Sequence, residues 1–196
     1  MKIDPHTHDR SMYRTLTGLV VPRPIGWVST QNEEGTDNLA PYSFFNVASV
    51  DPPILLLSPG DRPDGLTDTA ENARTTGEFV VNLVTHEFAK AMNQTSAELP
   101  STESEFDHAD VERTTSDRVD PPRVAGTAAA FECVLHDIID IGSNSLILGE
   151  VVLVHVRDDI TTADGKVDTN QVDIVARLAG SVYDRTTDRF EMERPK

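Results

Sequence analysis

Apolar runs and alternating positions divide the first part of the chain into predicted strands separated by polar turns. Residues 25–30 predict a strand, the polar segment 31–38 predicts a turn, and 39–47 predicts the returning strand of a hairpin. The apolar run 53–58 predicts a strand buried on both faces, and 79–84 predicts a further strand.

Two segments carry helical signals. Residues 68–76 start beside the cap candidates Thr67 and Asp68, and they stop before Gly77, a residue typical of helix C-termini. Residues 86–95 place apolar side chains at helical spacing and predict a second helix.

The last clear unit is a long hairpin. Residues 129–141 alternate between apolar and polar side chains, the turn 142–145 follows, and 146–157 is largely apolar. The polar face of the first strand carries Glu132, His136 and Asp140.

Residues 96–123 interrupt the strands. This segment is acidic and contains three prolines, so it is interpreted as a surface excursion, with a lid over a site as the alternative. About six or seven hairpin-linked strands with short helices predict a mainly β fold, an antiparallel barrel with the helices outside it. A length of 196 residues, 38% of them hydrophobic, fits one domain over residues 1–196.

The charge balance narrows the partners. Asp and Glu number 33 against 17 Lys and Arg, which gives a net charge of −16. Such a surface repels nucleic acid and anionic membranes, so neither is expected as a partner. The apolar runs argue against a disordered acidic chain, and we favour a folded protein adapted to high salt, where charge repulsion is screened.

The N-terminal segment and the cysteine content bear on location. The start of the chain lacks the apolar core of a signal peptide, and the single cysteine, Cys133, excludes an internal disulfide. No run of 18 apolar residues is present that would span a membrane. These features predict a cytoplasmic protein.

Most catalytic motifs are absent from the sequence. His6 and His8 have metal-ligand spacing, but no clustered third ligand accompanies them, so no metal site is expected. Neither a dinucleotide fingerprint, nor a P-loop, nor G-x-S-x-G occurs. The unusual segment is APYSFFNVASVDPP (40–53), which mixes aromatic rings with hydroxyl and amide groups.

The periodicity of this segment suggests how it is used. Strand alternation puts Asn38, Ala40, Tyr42, Phe44 and Asn46 on one face, and Leu39, Pro41, Ser43 and Phe45 on the other. Pro41 cannot donate a ladder hydrogen bond, which predicts an edge strand. Open backbone groups beside Ser43 would suit a heteroaromatic ring, and ordinary aromatic packing at an edge is the alternative.

Four runs, in this order, closely resemble the flavin reductase-like family. They are RPIGWVST (23–30), NLAPYSFFN (38–46), DTAENARTTGEFVVN (68–82) and AKAMNQTS (89–96). The similarity continues through GEVVLVHV (149–156) and RLAGSVY (177–183), so it covers about 19–183. It implies a Greek-key-like, FMN-binding split β-barrel that forms a homodimer, and reduction of flavin by NADH or NADPH.

The resemblance also implies a set of cofactor contacts. The segment matching 38–46 would lie against the isoalloxazine, and those matching 23–30 and the Asp68–Thr69 turn would lie toward the ribityl chain and phosphate. The candidate residues are Arg23, Trp27, Ser29, Thr30, Asn38, Ala40, Pro41, Tyr42, Ser43, Asn46, Asp68, Thr69 and Arg74. FMN is favoured over FAD, and flavin itself carries the hydride chemistry.

Two positions qualify this expectation. Many relatives carry a lysine just before the Asp-Thr pair, where this chain has Thr67, so a phosphate charge is missing. The resemblance implies that His155 corresponds to a histidine on the nicotinamide side of the flavin site in relatives. The alternative is that His155 is a half-buried strand residue without a functional role. Three functions are therefore compatible with the sequence. The first is a flavin reductase that serves a partner oxidoreductase or monooxygenase. The second is a non-enzymatic FMN electron carrier, and the third is a flavin-free barrel that binds another ligand.

Overall fold

The computed structural model describes residues 2–7, 11–63 and 65–195. The helices are α1 (Tyr13–Leu19), α2 (Asp68–Thr76), α3 (Ala89–Gln94) and α4 (Glu105–His108). The first six strands are β1 (Arg23–Pro24), β2 (Gly26–Gln31), β3 (Asp37–Tyr42), β4 (Phe45–Val50), β5 (Pro53–Leu57) and β6 (Glu78–Leu83). The remaining strands are β7 (Arg113–Thr114), β8 (Arg123–Val124), β9 (Ala129–Ile141), β10 (Asn144–Val156), β11 (Val175–Arg177) and β12 (Tyr183–Arg185).

Seven strands form the main sheet, in the order β3-β2-β6-β9-β10-β5-β4. Every neighbouring pair is antiparallel. The two edges of this sheet, β3 and β4, are consecutive in the chain and are joined through Ser43 and Phe44. A second sheet, β1-β11-β12, and the short pair β7-β8 accompany it. The antiparallel, mainly β expectation is therefore confirmed.

The prediction of one strand over 39–47 is wrong. The chain leaves the sheet at Ser43 and re-enters it at the opposite edge as β4, so the expected alternation of faces holds only as far as Tyr42. The physical reason is closure of the curved sheet, because the two-residue link Ser43–Phe44 connects its two edge strands, β3 and β4. The edge position predicted from Pro41 is confirmed, because β3 pairs with β2 alone.

Helix α2 has the bounds that the sequence predicts. Thr67 is its N-cap, and its side chain accepts a hydrogen bond from the Ala70 N–H. Gly77 ends the helix at φ 74°, in the left-handed region that glycine adopts without strain. The second predicted helix, 86–95, is instead a 3₁₀ turn (His86–Phe88) followed by α3.

The core forms two main clusters, one on each side of β2. Trp27, Leu39, Met92 and Phe106 belong to the first cluster, and Val28, Leu57, Phe79 and Ile147 to the second. Cys133 is fully buried, and burial raises the pKa of its thiol. Among the described residues, no helix is long and apolar enough to cross a membrane.

Residues 96–123 pack more closely on the barrel than a solvated excursion would. Phe106 is completely buried in the first core cluster. The buried Glu105 carboxylate accepts the Leu39 N–H at 2.9 Å, which satisfies a backbone donor of edge strand β3. Burial raises the pKa of Glu105, and the hydrogen bond from Leu39 opposes that rise. The segment thus covers one edge of the sheet.

Replacing Gly149 by alanine is expected to destabilise the fold by about 1–3 kcal/mol, the usual cost of overpacking. A methyl group there would lie 2.7 Å from Phe79 Cε1 and 3.1 Å from Cys133 Cβ, both fully buried. Urea unfolding measures the effect. Gly60→Ala is the control, because its added carbon would meet nothing closer than 3.8 Å. Equal stability of the two variants would contradict this packing.

Candidate functional site

Strand β3 divides the predicted site residues between its two faces. Asn38 and Tyr42 face α2, whereas Pro41 and Ser43 line a pocket on the other side. The amide of Asn38 donates to the hydroxyl of the buried Thr69 at 3.0 Å. A ligand that contacts both groups would therefore lie across the open end of β3, where the chain passes through Ser43 and Phe44.

The N-terminus of α2 gathers polar groups around Tyr42. Burial raises the pKa of the Tyr42 phenol, and hydrogen bonds with Thr69 and Thr67 act against that rise. Arg62 Nη1 donates to Asp68 Oδ2 at 2.9 Å, which fixes the guanidinium beside the first turn of the helix. The helix has nine residues, and the free N–H groups of its first turn favour an anion.

Arg62 is a candidate site residue that sequence reasoning missed. The family resemblance implies a lysine at position 67, where this chain has Thr67, and Arg62 brings a positive charge to the same helix terminus. The signal available was the isolated arginine in the DRPDG segment (61–65), a turn-rich stretch that precedes the helix cap. A guanidinium has five N–H donors, so its bond to Asp68 leaves it able to donate to an anion.

The pocket on the other face of β3 has a volume of about 310 Å³. Its lining residues are Tyr13, Thr17, Arg23, Ile25, Pro41, Ser43, Met92, Asn93, Ser96, Arg177, Leu178, Gly180 and Tyr183. It is bounded by α1, β1, the end of β3, α3 and the β11–β12 connection. The predicted residues Arg23, Pro41 and Ser43 thus share one cavity.

Arg23 has a clear structural role. Its Nη1 donates to the carbonyls of Thr17 and Val20 at 2.6 and 2.8 Å, and Nη2 donates to Leu178 O at 2.9 Å. Its Nε donates to Ser43 Oγ at 3.4 Å. The buried guanidinium therefore ties α1, the strand break and the C-terminal segment together, rather than extending toward the α2 terminus.

Three other candidates lie in the interior, fully buried. Trp27 Nε1 donates to Thr95 Oγ1 at 2.8 Å, Ser29 donates to the Pro122 carbonyl, and Thr30 Oγ1 accepts from Asn72 at 3.0 Å. Their contact with a ligand stays a prediction of the sequence. Their side chains hold the core, α2 and the 96–123 segment against β2, and their polar atoms are already paired.

The remaining predicted contacts are scattered. Asn46 is exposed, and its Oδ1 accepts the Val47 N–H at 2.8 Å. Arg74 forms an ion pair with Asp140 and donates to Ser145 Oγ at 3.2 Å, so its charge is used at the β9–β10 end. Ala40 is half-buried on β3.

His155 lies apart from these groups. Its Nε2 is 2.5 Å from Glu132 Oε1 and 3.7 Å from Asp117 Oδ2. The fully buried Glu132 also accepts the backbone N–H groups of Asp117 and Arg118, at 2.9 and 2.6 Å. These contacts join β9 and β10 to the 96–123 segment. Of the N-terminal pair, His6 is exposed and His8 lies outside the described residues.

A larger cleft, of about 510 Å³, lies elsewhere, beside Asp37, Asp107 and Arg113. There Arg113 pairs with Asp37 at 2.6 Å and with Asp107 at 2.7 Å, so its charge is compensated within the protein. The smaller pocket at Ser43 holds two arginines and is the better candidate for a ligand site.

The fold and the open end of β3 define a split-barrel protein. The family model described as "Flavin reductase like domain" matches residues 18–171. The chain therefore belongs to the flavin reductase-like family. An uncharacterized protein of Halalkalibacterium halodurans is 38% identical over 203 residues, covering 100% of this chain and 97% of that protein. Family membership makes a flavin the cofactor or substrate and places the chain among flavin oxidoreductases.

Solved structures agree with this assignment. Nitrilotriacetate monooxygenase component B from Bacillus cereus superposes with a TM-score of 0.94 at 32% identity, over 98% of both chains. The Pseudomonas fluorescens 2-nitrobenzoate 2-nitroreductase NbaA gives 0.91 at 32% identity, over 100% of this chain and 96% of that one. A Shewanella frigidimarina protein with a split barrel domain gives 0.86 at 22% identity, over all of both chains, and supports the fold.

Proposed function

We propose that this protein binds FMN and reduces it with NADH or NADPH. The observation that carries the proposal is the pairing of an anion-compatible helix terminus with a break in an aromatic edge strand. Arg62 and the first turn of α2 would hold the phosphate, and the groups around Ser43 would hold the ring edge. FMN supplies the hydride chemistry when it is bound.

The residues at the α2 terminus fit a phosphomonoester. Helix N–H groups, the Arg62 guanidinium and the hydroxyls of Thr67 and Tyr42 are all donors. Asp68 is the unfavourable group, because its carboxylate would repel a phosphate. Its ion pair with Arg62 offsets that repulsion.

The ring end is shaped by Ser43. Its hydroxyl oxygen accepts a hydrogen bond from Arg23 Nε, which leaves the hydroxyl proton to donate to a ligand. Donors at this position would stabilise the negative charge that a flavin acquires on reduction. The exposed Phe44 ring and the half-buried Phe45 provide apolar surface for the ring system.

The test combines a spectrum with a turnover assay. Purified protein reconstituted with FMN is expected to retain a visible flavin spectrum, and with excess FMN it is expected to consume NADH or NADPH at a steady rate. If the bound flavin is reduced once and added FMN is not turned over, the protein is instead an electron carrier. A protein that neither binds FMN nor oxidises the nicotinamides would contradict the proposal.

The proposal includes a protein partner for the reduced flavin. Nitrilotriacetate monooxygenase component B is, by its name, one component of a monooxygenase. A partner oxidoreductase or monooxygenase that accepts reduced flavin is therefore part of the proposed role. Cytoplasmic location and adaptation to high salt stay predictions of the composition and charge.

Replacing Ser43 by alanine is expected to weaken FMN binding by about 1 kcal/mol, or about fivefold in Kd, the contribution of one neutral hydrogen bond. Fluorescence titration with FMN measures the change. Ser143→Ala, in the exposed turn between β9 and β10, is the matched control. Equal affinities of Ser43→Ala and the unsubstituted protein would leave the hydroxyl without a role in binding.

We also propose that the protein forms a two-fold dimer through the β4 side of the barrel. Val47 and Val50 on edge strand β4 are 58% and 85% exposed. Light scattering is expected to give about twice 21.5 kDa. Val47→Glu is expected to shift the protein to monomer, whereas Val167→Glu, in a loop, is expected not to. A monomeric unsubstituted protein would exclude this interface.

A further inference from the structure

We propose that the pocket between α1, the end of β3 and the C-terminal segment binds a small aromatic carboxylate, as a second ligand beside the flavin. Its position next to a flavin ring rests on the proposed function, whereas the anion site itself does not. The proposal comes from the two arginines that line this pocket, Arg23 and Arg177.

These arginines are direct cross-strand partners. In the antiparallel pair β1–β11, Arg23 lies opposite Arg177. Like charges that face each other directly across two strands destabilise the pairing. Both side chains nevertheless line the same cavity, where an anion would remove the repulsion.

No acidic side chain compensates these charges among the described residues. Neither arginine has a carboxylate within ion-pair distance, and no Asp or Glu lines the pocket over residues 2–7, 11–63 and 65–195. The chain has 33 acidic residues against 17 basic ones, so an uncompensated pair of arginines runs against its general charge. A ligand carboxylate would provide the missing counter-charge.

The hydrogen bonds of the two guanidinium groups position them without neutralising them. Arg23 donates to three backbone carbonyls and Ser43, and Arg177 donates to the Gly180 carbonyl and the Tyr183 hydroxyl. Carbonyl and hydroxyl oxygens accept these bonds but carry no net charge. The pocket therefore keeps two positive charges in fixed positions, which is the preorganised arrangement that an anion site needs.

The walls of the pocket suit one aromatic ring. Ile25 and Met92 are buried apolar side chains, and Pro41 and Tyr183 add further apolar surface. The guanidinium carbon of Arg177 lies 4.4 Å from the centre of the Tyr183 ring, so that ring is held in place. A volume of about 310 Å³ is at the lower end of the range for ligand pockets and fits a single-ring molecule better than a dinucleotide.

Calorimetric titration with benzoate tests the proposal, with neutral benzamide as the matched probe. We expect the unsubstituted protein to bind benzoate at least about tenfold more tightly than benzamide, since only the carboxylate pairs with the arginines. Arg177→Gln is expected to weaken benzoate binding by about tenfold or more. Arg118→Gln removes the same charge from an exposed site and is expected to change binding by less than about twofold.

The titrations are made at constant ionic strength on flavin-free and FMN-loaded protein. Benzoate binding to both forms supports a second site, whether or not flavin reduction is observed. Displacement of FMN by benzoate would overturn the proposal, because the pocket would then belong to the flavin ring. Equal binding of benzoate and benzamide would also overturn it, and this comparison needs no substituted protein. Equal losses of benzoate affinity in Arg177→Gln and Arg118→Gln would overturn the proposal as well, because binding would then depend only on the general charge of the protein.

Discussion

Replacing Arg62 by glutamine is expected to weaken FMN binding about 10–100-fold while changing riboflavin binding by less than about twofold. A hydrogen bond to a charged group contributes about 1.5–3 kcal/mol, and riboflavin lacks the phosphate that would receive it. Arg62 is held beside the first turn of α2 by its bond to Asp68, so the expected loss is specific to the phosphate end of the ligand. Paired titrations with FMN and riboflavin measure the difference.

Arg74→Gln is the matched control for this substitution. It also removes one arginine charge beside α2, but Arg74 lies in the last turn of the helix and pairs with Asp140. We expect its FMN affinity to stay within about twofold of the unsubstituted protein. If Arg74→Gln lost more affinity than Arg62→Gln, the phosphate would lie at the charge that the sequence suggested rather than at the helix N-terminus. Equal losses of FMN and riboflavin in Arg62→Gln would point to damage of the fold.

Local signals predicted α2 well because everything that defines it is close in the chain. Thr67 caps the first turn, and Gly77 adopts the left-handed conformation that ends the last one. The long β9–β10 hairpin was predictable for the same reason, since a short turn joins an alternating strand to a largely apolar one.

The break at Ser43 was not predictable from periodicity. Alternation runs on through 38–46 without a glycine or a polar cluster to mark a stop, so one strand was the natural prediction. The chain breaks there because the two edges of the seven-stranded sheet meet at this point. Sheet closure is a property of all seven strands together, and no local pattern reports it.

The candidate site divides in the same way. Pro41 and Ser43 were predicted from their own segment and do line a pocket, whereas Arg177 reaches that pocket only through the pairing of β1 with β11. Arg62 donates a hydrogen bond to Asp68, six positions further along the chain. Charges brought together by tertiary structure are those that single-sequence reasoning misses.

Glu132 shows most clearly that a local sequence pattern does not report tertiary burial. Alternation along β9 places its side chain on the polar face of the strand, together with His136 and Asp140. In the structure it has no exposed surface, because the backbone at Asp117 and Arg118 covers it and donates two hydrogen bonds to its carboxylate. The polar face of β9 is thus partly an internal surface that anchors the 96–123 segment.

Replacing Glu132 by alanine is expected to lower the free energy of unfolding by about 3–5 kcal/mol, the cost of removing one partner from a buried, hydrogen-bonded ion pair. The substitution leaves two backbone N–H groups and His155 without their acceptor, with Arg123 Nε, at 3.8 Å, also losing its counter-charge. Urea unfolding at pH 7 measures the loss. Glu87→Ala is the control, because that carboxylate forms an exposed pair with Arg157 and is expected to contribute less than about 1 kcal/mol.

The same carboxylate should make stability depend on acid pH. Burial acts to raise the pKa of Glu132, but hydrogen bonds from Asp117, His155 and Arg118 outweigh it, and the pKa is lowered. A carboxyl group whose pKa is lower in the folded state stabilises the protein above its unfolded pKa, about 4.3, and this contribution is lost as the pH falls through the folded value.

Glu132→Gln keeps the shape of the side chain without the titration. We therefore expect the stability difference between the unsubstituted protein and Glu132→Gln to be constant above about pH 5 and to shrink below about pH 4. A difference that does not change down to acid unfolding would show that Glu132 is not held as a carboxylate by these hydrogen bonds.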